Sequence, residues 1–240
     1  MALYTPEERG EVAARLRELL AGDERVADVR LGGSGAHGYA DRWSDVDLVV
    51  TAADGVEQRE LADSLVARIY EAMPVVHHFA VAFGDEHVRG FLLENLLEVD
   101  IGFQPAGGRE DGDWPGPEAE SEAGFGWHDA LHAGVAAARG RPWRAHYYIG
   151  LLRWRTLALA THRLGFELGE YKAVDDLPAE VLQPLEEALP RSLDRAELDR
   201  AARAATQAFL DELGRERPEL ADRLRGPLLE FLDASSREPA

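Results

Sequence analysis

A glycine turn followed by two alternating aspartates constrains the fold of this chain more than any other feature of its sequence. Residues 26–33, VADVRLGG, are typical of a short buried strand that ends in glycine, and residues 45–50, DVDLVV, are typical of a strand with alternating polarity. Alternate residues of a strand point to one face, so Asp45 and Asp47 should lie side by side, about 6 to 7 Å apart. Two like charges at that distance favour a divalent cation between them.

The first half of the chain has the periodicity of an α/β domain, which we predict over residues 1–104. Apolar side chains at helical spacing predict one amphipathic helix before the glycine turn and one after the second strand, at residues 6–21 and 56–72. The period then shortens, and short β-prone segments predict an antiparallel run that completes a mixed sheet. These segments are residues 75–83, 87–93 and 96–103.

The second half of the chain has the periodicity of helices. Residues 105–125 contain several glycine, proline and acidic residues without a repeat, and they predict a linker or lid. Residues 126–240 predict an all-helical bundle as a second domain. Its last helical pieces should be interrupted at Pro190, Gly214, Pro218 and the pair Gly226 and Pro227.

The acid excess of the chain narrows the range of its partners. Its 240 residues include 45 acidic and 26 basic side chains, which gives a formal net charge of -19. Such a field repels nucleic acid, so we expect no nucleic-acid partner. The acid excess either attracts cationic ligands or merely keeps the protein in solution. The chain has no cysteine, which excludes disulfides and thiolate metal sites. No apolar run approaches the ~18 residues of a membrane span, so we expect no membrane association and a cytoplasmic protein.

The strand, turn and strand at residues 33–50, GSGAHGYADRWSDVDLVV, resemble a known family. They are similar to the nucleotidyltransferase superfamily with the DNA polymerase beta-type catalytic domain. The signature of that superfamily is a glycine followed by Gly or Ser, about a dozen residues, and Asp-x-Asp or Asp-x-Glu on a strand. Its members supply a third acid from a later strand, and Asp100 within LLEVDIGF fits that place. The resemblance covers about residues 8–104.

The resemblance implies a carboxylate cluster that binds two Mg²⁺ ions and the triphosphate of ATP or another nucleoside triphosphate. Asp45 and Asp47 would hold the metals. Asp100 would complete the cluster, either as a ligand of the second metal or as the base that takes the proton of the acceptor. Glu98 lies on the same strand face and is the other candidate base.

Phosphate contacts are expected from the glycine turn and from basic residues of the helical half. Gly33 would permit close approach of the backbone, and Ser34 would donate from its hydroxyl and its N–H. Lys172 is the only lysine among 26 basic residues, and its compact ammonium suits a triphosphate; a solvated surface lysine is the alternative. Arg153 and Arg155 lie in an otherwise apolar helix and are further candidates, unless they pair with acids instead.

The order of a catalytic domain and then a helical domain resembles that of the aminoglycoside and lincosamide nucleotidyltransferases. This resemblance implies adenylyl transfer from ATP to a hydroxyl of a small molecule, and the acid excess suits a polycationic antibiotic. An alternative is an antitoxin-like minimal nucleotidyltransferase, a binding module that acts on or with a protein partner. Such modules are little more than the catalytic domain, whereas about 115 further residues follow it here.

Overall fold

The chain divides into two compact units, residues 2–121 and residues 122–240. The computed structural model describes residues 4–33, 40–83, 86–106, 122–165 and 174–237. The sequence predicts that the first domain ends at residue 104 and that the helical domain begins at residue 126, and these boundaries stay predictions.

Over its described residues, the first unit is a five-stranded mixed sheet with two helices. Its elements are α1 (Pro6–Ala21), β1 (Val26–Leu31), β2 (Val46–Ala52), α2 (Gln58–Ala72), β3 (Val75–Phe83), β4 (Glu86–Leu93) and β5 (Glu98–Gln104). The strand order is β1-β2-β5-β4-β3, in which β2 and β5 are parallel and all other neighbours are antiparallel. The predicted mixed sheet and its closing antiparallel run are confirmed.

One face of this sheet forms the core with the two helices. Along β2 the side chains of Val46, Leu48 and Val50 are buried, and those between them are half-buried, as the alternating sequence predicts. Leu16 of α1 and Leu65 of α2 belong to the same buried cluster. Apolar burial on one face therefore fixes the register of β2 and directs its alternate, polar residues to the opposite face.

A capping box fixes the start of α1. The Thr5 hydroxyl accepts a hydrogen bond from the Glu8 backbone N–H, and the Glu8 carboxylate accepts one from the Thr5 N–H. Pro6 occupies the first helical turn, where its missing N–H costs nothing. The helix therefore begins at a defined residue next to the sheet.

The second unit is helical throughout the residues that the structure describes. It contains α3 (Glu122–Ala138), α4 (Pro142–Leu164), a short 3₁₀ turn (Val174–Asp176), α5 (Ala179–Glu187), α6 (Arg195–Glu216) and α7 (Pro218–Ser236). Glycines allow two helices to approach closely: a Cβ on Gly126 would lie 2.0 Å from the ring of Phe209, and one on Gly134 would lie 2.8 Å from that of Phe231. The predicted helical bundle is confirmed.

Two of the predicted helix interruptions are wrong. Helix α6 continues through Gly214, and α7 continues through Gly226 and Pro227. Buried leucines on either side of Pro227, Leu224 and Leu228, anchor α7 to the bundle, and this packing outweighs the local penalty of glycine and proline. The interruptions at Pro190 and Pro218 are confirmed, since α5 ends at Glu187 and α7 begins at Pro218.

Candidate active site

Three carboxylates meet on the sheet face opposite the helices. In the parallel pair of β2 and β5, Asp47 lies directly opposite Asp100. Asp45 immediately precedes β2. One carboxylate oxygen from each of the three residues lies within 4.8 Å of the others. The structure therefore brings together the three acids that the sequence singled out.

The acids disturb one another's ionisation. Burial, the negative charges of Asp45 and Glu98 and a hydrogen bond with Asp45 together raise the pKa of Asp47 from its ordinary 3.8 to about 7, and burial is the largest of these causes. Each of these causes disfavours the ionised form of Asp47. A cation bound between the carboxylates would remove the repulsion, so this site suits a divalent metal ion.

The end of β1 closes against Asp47. The Gly32 N–H donates a hydrogen bond to the Asp47 carbonyl oxygen at 2.9 Å. Gly33 has a φ of +46°, and a Cβ at this position would lie 1.8 Å from Asp47 Oδ2. Only glycine fits here, both for its backbone angle and for the space that the carboxylate occupies. Ser34 lies outside the described residues.

Asp100 and Glu98 point to the same side of β5. Asp100 lies opposite Gly90 of β4, and Phe79 of β3 lies opposite Gly90 in turn. A Cβ on Gly90 would be 2.3 Å from the Phe79 ring and 2.8 Å from Asp100 Oδ1, so the ring and the carboxylate share the space above this glycine. Glu98 is buried, whereas Asp100 is half-buried. An aromatic wall thus limits the positions that the Asp100 carboxylate can take.

Residues 11–101 match the family model described as a nucleotidyltransferase domain. The chain contains a nucleotidyltransferase domain. The matched residues run from α1 to β5 and include Asp45, Asp47, Glu98 and Asp100. This domain places the protein among the enzymes that transfer phosphorus-containing groups. Among curated proteins none matches the chain.

Three solved structures align with most of the chain. An aminoglycoside 6-adenyltransferase from Bacillus subtilis is 12% identical over 96% of this chain and 99% of its own, with a TM-score of 0.35. The polymerase core of TRAMP, a RNA surveillance complex, is 17% identical over 88% of this chain and 58% of its own, with a TM-score of 0.35. The structure of the GLD-2/RNP-8 complex is 10% identical over 87% of this chain and 75% of its own, with a TM-score of 0.31. Scores in this range do not establish a shared activity.

The segment that leads into Asp45 of the nucleotidyltransferase domain is held by the N-terminal helix region. Tyr4 donates its hydroxyl to the Ser44 carbonyl oxygen at 3.2 Å, and Arg9 donates to the carbonyl oxygens of Asp41 and Ser44. The Ser44 hydroxyl accepts the Asp41 N–H at 2.9 Å. The contacts of Tyr4 and Arg9 join residues more than 30 positions apart, so no local motif could have indicated them. Tyr4 and Arg9 thus position Asp45.

The two candidate arginines of α4 differ. Arg155 pairs with the buried Asp129 at 3.1 Å, and its guanidinium lies 4.9 Å from the centre of the Phe125 ring. Arg153 has no acid of this kind: within the described part of the chain its Nε is buried without a hydrogen-bond partner, and burial lowers the pKa of its guanidinium. Arg155 is therefore structural, and Arg153 stays the candidate for an anion. Lys172 lies outside the described residues.

None of the described helices combines the length and the apolar character needed to cross a bilayer.

Proposed function

We propose that the protein transfers AMP from ATP to a hydroxyl group of a small cationic molecule. The observation that carries the proposal is the cluster of Asp45, Asp47 and Asp100, with carboxylate oxygens within 4.8 Å of one another in a nucleotidyltransferase domain. Positioning and charge neutralisation are the main demands of such a transfer. Three acids brought together by the pairing of β2 with β5 suit both demands.

The cluster fits Mg²⁺. Its ligand atoms are carboxylate oxygens, which Mg²⁺ prefers, and the raised pKa of Asp47 reflects a place where positive charge is favourable. Asp45, Asp47 and Asp100 would hold two ions. When bound, such ions neutralise charge on the attacking and leaving oxygens.

The remaining chemistry belongs to side chains of this chain. The acceptor hydroxyl oxygen forms a bond with the α-phosphorus of ATP, the bond from that phosphorus to the bridging oxygen breaks, and pyrophosphate leaves. The hydroxyl proton passes to a carboxylate, Asp100 or Glu98. Gly33 keeps the turn after β1 free of a side chain, so the space beside this turn is open to the Asp47 carboxylate.

Substitution of the two acids of β5 separates their roles. We expect Asp100→Asn to lower kcat by ~10²-fold or more, whichever of base or metal ligand it is, because either role requires its charge. Glu98→Gln should be milder, since its main effect on the site is through the charge that it adds near Asp47. Single-turnover rates with ATP at saturating Mg²⁺ measure the two variants. The reverse order of losses would assign the proton to Glu98.

A cationic acceptor is supported by charge. The chain carries 45 acids against 26 bases, and Glu98 adds a fourth carboxylate to the face that holds Asp45, Asp47 and Asp100. Clefts with carboxylates concentrate cations. We therefore propose an antibiotic of the aminoglycoside or lincosamide type as the acceptor, and place the reaction in the cytoplasm, which supplies ATP and Mg²⁺.

An acceptor panel tests this function. Purified protein with ATP and Mg²⁺ is offered aminoglycosides, lincosamides, neutral sugars, a single-stranded RNA and a folded protein, and pyrophosphate release is measured. We expect release with a cationic antibiotic and a gain of one AMP in its mass, both absent in Asp47→Asn. Transfer to RNA or protein alone would contradict the proposed acceptor but not the reaction. No pyrophosphate with any hydroxyl acceptor would contradict the reaction itself.

Basic residues outside the cluster are tested by their effect on ATP kinetics. If Lys172 meets the β- or γ-phosphate, Lys172→Ala should raise the KM for ATP and leave the KM for the acceptor unchanged, and Lys172→Arg should rescue only in part. Arg153→Ala should act in the same direction if its guanidinium binds an anion. Arg203→Ala is a matched control, because this exposed arginine pairs with Asp233 on the surface. If Lys172→Ala and Arg153→Ala have the same ATP kinetics as the control, neither residue binds the phosphates of ATP.

A further inference from the structure

Helix α4 carries a row of large aromatic side chains on its exposed side. Trp143, Tyr147 and Trp154 are 73%, 58% and 41% exposed. Together with Gly150 they lie within about 60° of one another around the helix and extend about 16 Å along it. We call these four residues the aromatic row. The opposite side of α4 is buried in the bundle through Ala145, Ile149, Leu152, Thr156 and Ala160.

The spacing of the aromatic row is symmetric. Its members are separated by four, three and four positions, so the row reads the same in both directions. In an antiparallel pair of α4 helices, Trp143 would therefore face Trp154 of the second copy, and Tyr147 would face Gly150 of the second copy. A two-fold axis generates both contacts twice, which is the requirement for a self-complementary interface.

Gly150 provides the space that this arrangement needs. A Cβ at this position would have a single neighbour within 4 Å, the Arg153 Nη2 atom at 4.0 Å, which is the end of a flexible side chain. A glycine in the middle of a helix is otherwise unfavourable by about 1 kcal/mol relative to alanine. Here it leaves a gap between two aromatic rings into which a third ring fits.

The geometry points to an antiparallel homodimer, in which two copies of this protein pair through their aromatic rows. The three rings leave about 400 Å² exposed per copy, on the basis of 150–250 Å² for a whole aromatic side chain. Two copies would thus bury about 800 Å² from the rings alone, about half of a standard interface of ~1,600 Å². Half-exposed neighbours on the same side, such as Leu151 and Ala158, add to this area. Aromatic residues are enriched at the centres of such interfaces.

The charged residues near the aromatic row are nearly all positive, so the contact between two copies is apolar rather than ionic. Residues 124–165 contain six arginines and one acidic residue, Asp129, which is paired with Arg155. Exposed arginines such as Arg144 therefore flank the row in both copies and repel one another. Salt screens this repulsion, so the dimer should be as stable or more stable in high salt.

Sedimentation velocity of the full chain over about 1 to 200 µM tests the pairing. We expect a concentration-dependent dimer for the natural sequence. Gly150→Tyr should raise the dissociation constant at least about tenfold, because a tyrosine then meets a tyrosine where the gap was. Tyr147→Ala should weaken the dimer as well. The double variant Tyr147→Ala/Gly150→Tyr should form a tighter dimer than either single variant, because ring and gap have exchanged places.

The matched control is Leu189→Ala, which removes an exposed leucine outside the aromatic row and should leave the dimer unchanged. Melting temperatures check that each variant is folded, and replacing a helical glycine should maintain or raise them. A natural chain that stays monomeric at every concentration would overturn the proposal. So would a dimer that Gly150→Tyr leaves intact, or a monomer whose tryptophan fluorescence is quenched by ATP, which would assign the row to a ligand.

Discussion

Asp47→Asn is expected to remove nucleotidyl transfer while the fold stays intact. The asparagine keeps the shape of the side chain but removes one of the three charges within 4.8 Å of one another that would hold the metal ions. Such ions contribute several kcal/mol to the transition state, so turnover should fall by ~10³-fold. Asp45→Asn should act in the same direction. Pyrophosphate release at saturating ATP and Mg²⁺ measures both, and more than about a tenth of the natural turnover in both variants would contradict a metal site here.

The same substitution has a pH-dependent effect on stability. The pKa of Asp47 in the fold is about 7, above its ordinary 3.8, so the fold favours the protonated acid. In the metal-free protein, the stability that protonated Asp47 contributes to the fold is present at pH 4 and is lost as the pH rises towards and through 7. Asparagine does not ionise. Metal-free Asp47→Asn should therefore melt at the same temperature as the natural protein near pH 4 and at a higher temperature at pH 8.

Added Mg²⁺ provides the control for this pH effect. The ion competes with the proton for Asp47, so it should raise the melting temperature of the natural protein more at pH 8 than at pH 6. Asp47→Asn should show a much smaller rise at both values. Equal stabilisation of the two proteins by Mg²⁺ would place the ion elsewhere and contradict the proposed ligands.

The strand that carries Asp47 could be predicted from the sequence because its signal is local. Alternation along residues 45–50 is enough to predict a strand with two acids on one face, and the structure has β2 at Val46–Ala52. The pairing of Asp47 with Asp100 is not local, because it depends on β5 joining the sheet in parallel next to β2. Only the resemblance to a known family indicated it.

Other parts of the structure depend on contacts that no periodicity encodes. The support of Asp45 by Tyr4 and Arg9 joins α1 to a distant segment. The continuous helix through Gly214 depends on packing against α7, where a Cβ on this glycine would touch Ala221 at 3.5 Å. Local rules for glycine predicted a break there because they contain no term for that packing.

The structure gives Gly33 a more specific role than the sequence predicts. The sequence predicts that this glycine lets the backbone approach a phosphate. The structure shows an additional constraint, since the carboxylate of Asp47 occupies the space where a side chain would be. Gly33 therefore determines where Asp47 points, as well as the path of the turn.

Gly33→Ala is therefore expected to lower turnover by ~10²-fold or more, because a displacement of about 1 Å in a catalytic group has effects of this size. The new Cβ would lie 1.8 Å from Asp47 Oδ2, so the carboxylate must leave its present position in the cluster. The stabilisation by Mg²⁺ should fall together with turnover, which separates a displaced ligand from a loss confined to substrate binding.

Gly55→Ala is the matched control for this variant. Gly55 has a φ of +77°, so alanine there is strained in a similar way and should destabilise the fold by about 1 kcal/mol. However, a Cβ at Gly55 would have no neighbour within 4 Å, so turnover should stay close to that of the natural protein. If the two variants lost activity equally, backbone strain alone would explain the loss at Gly33. A loss confined to Gly33→Ala would show that the space beside Asp47 is what transfer requires.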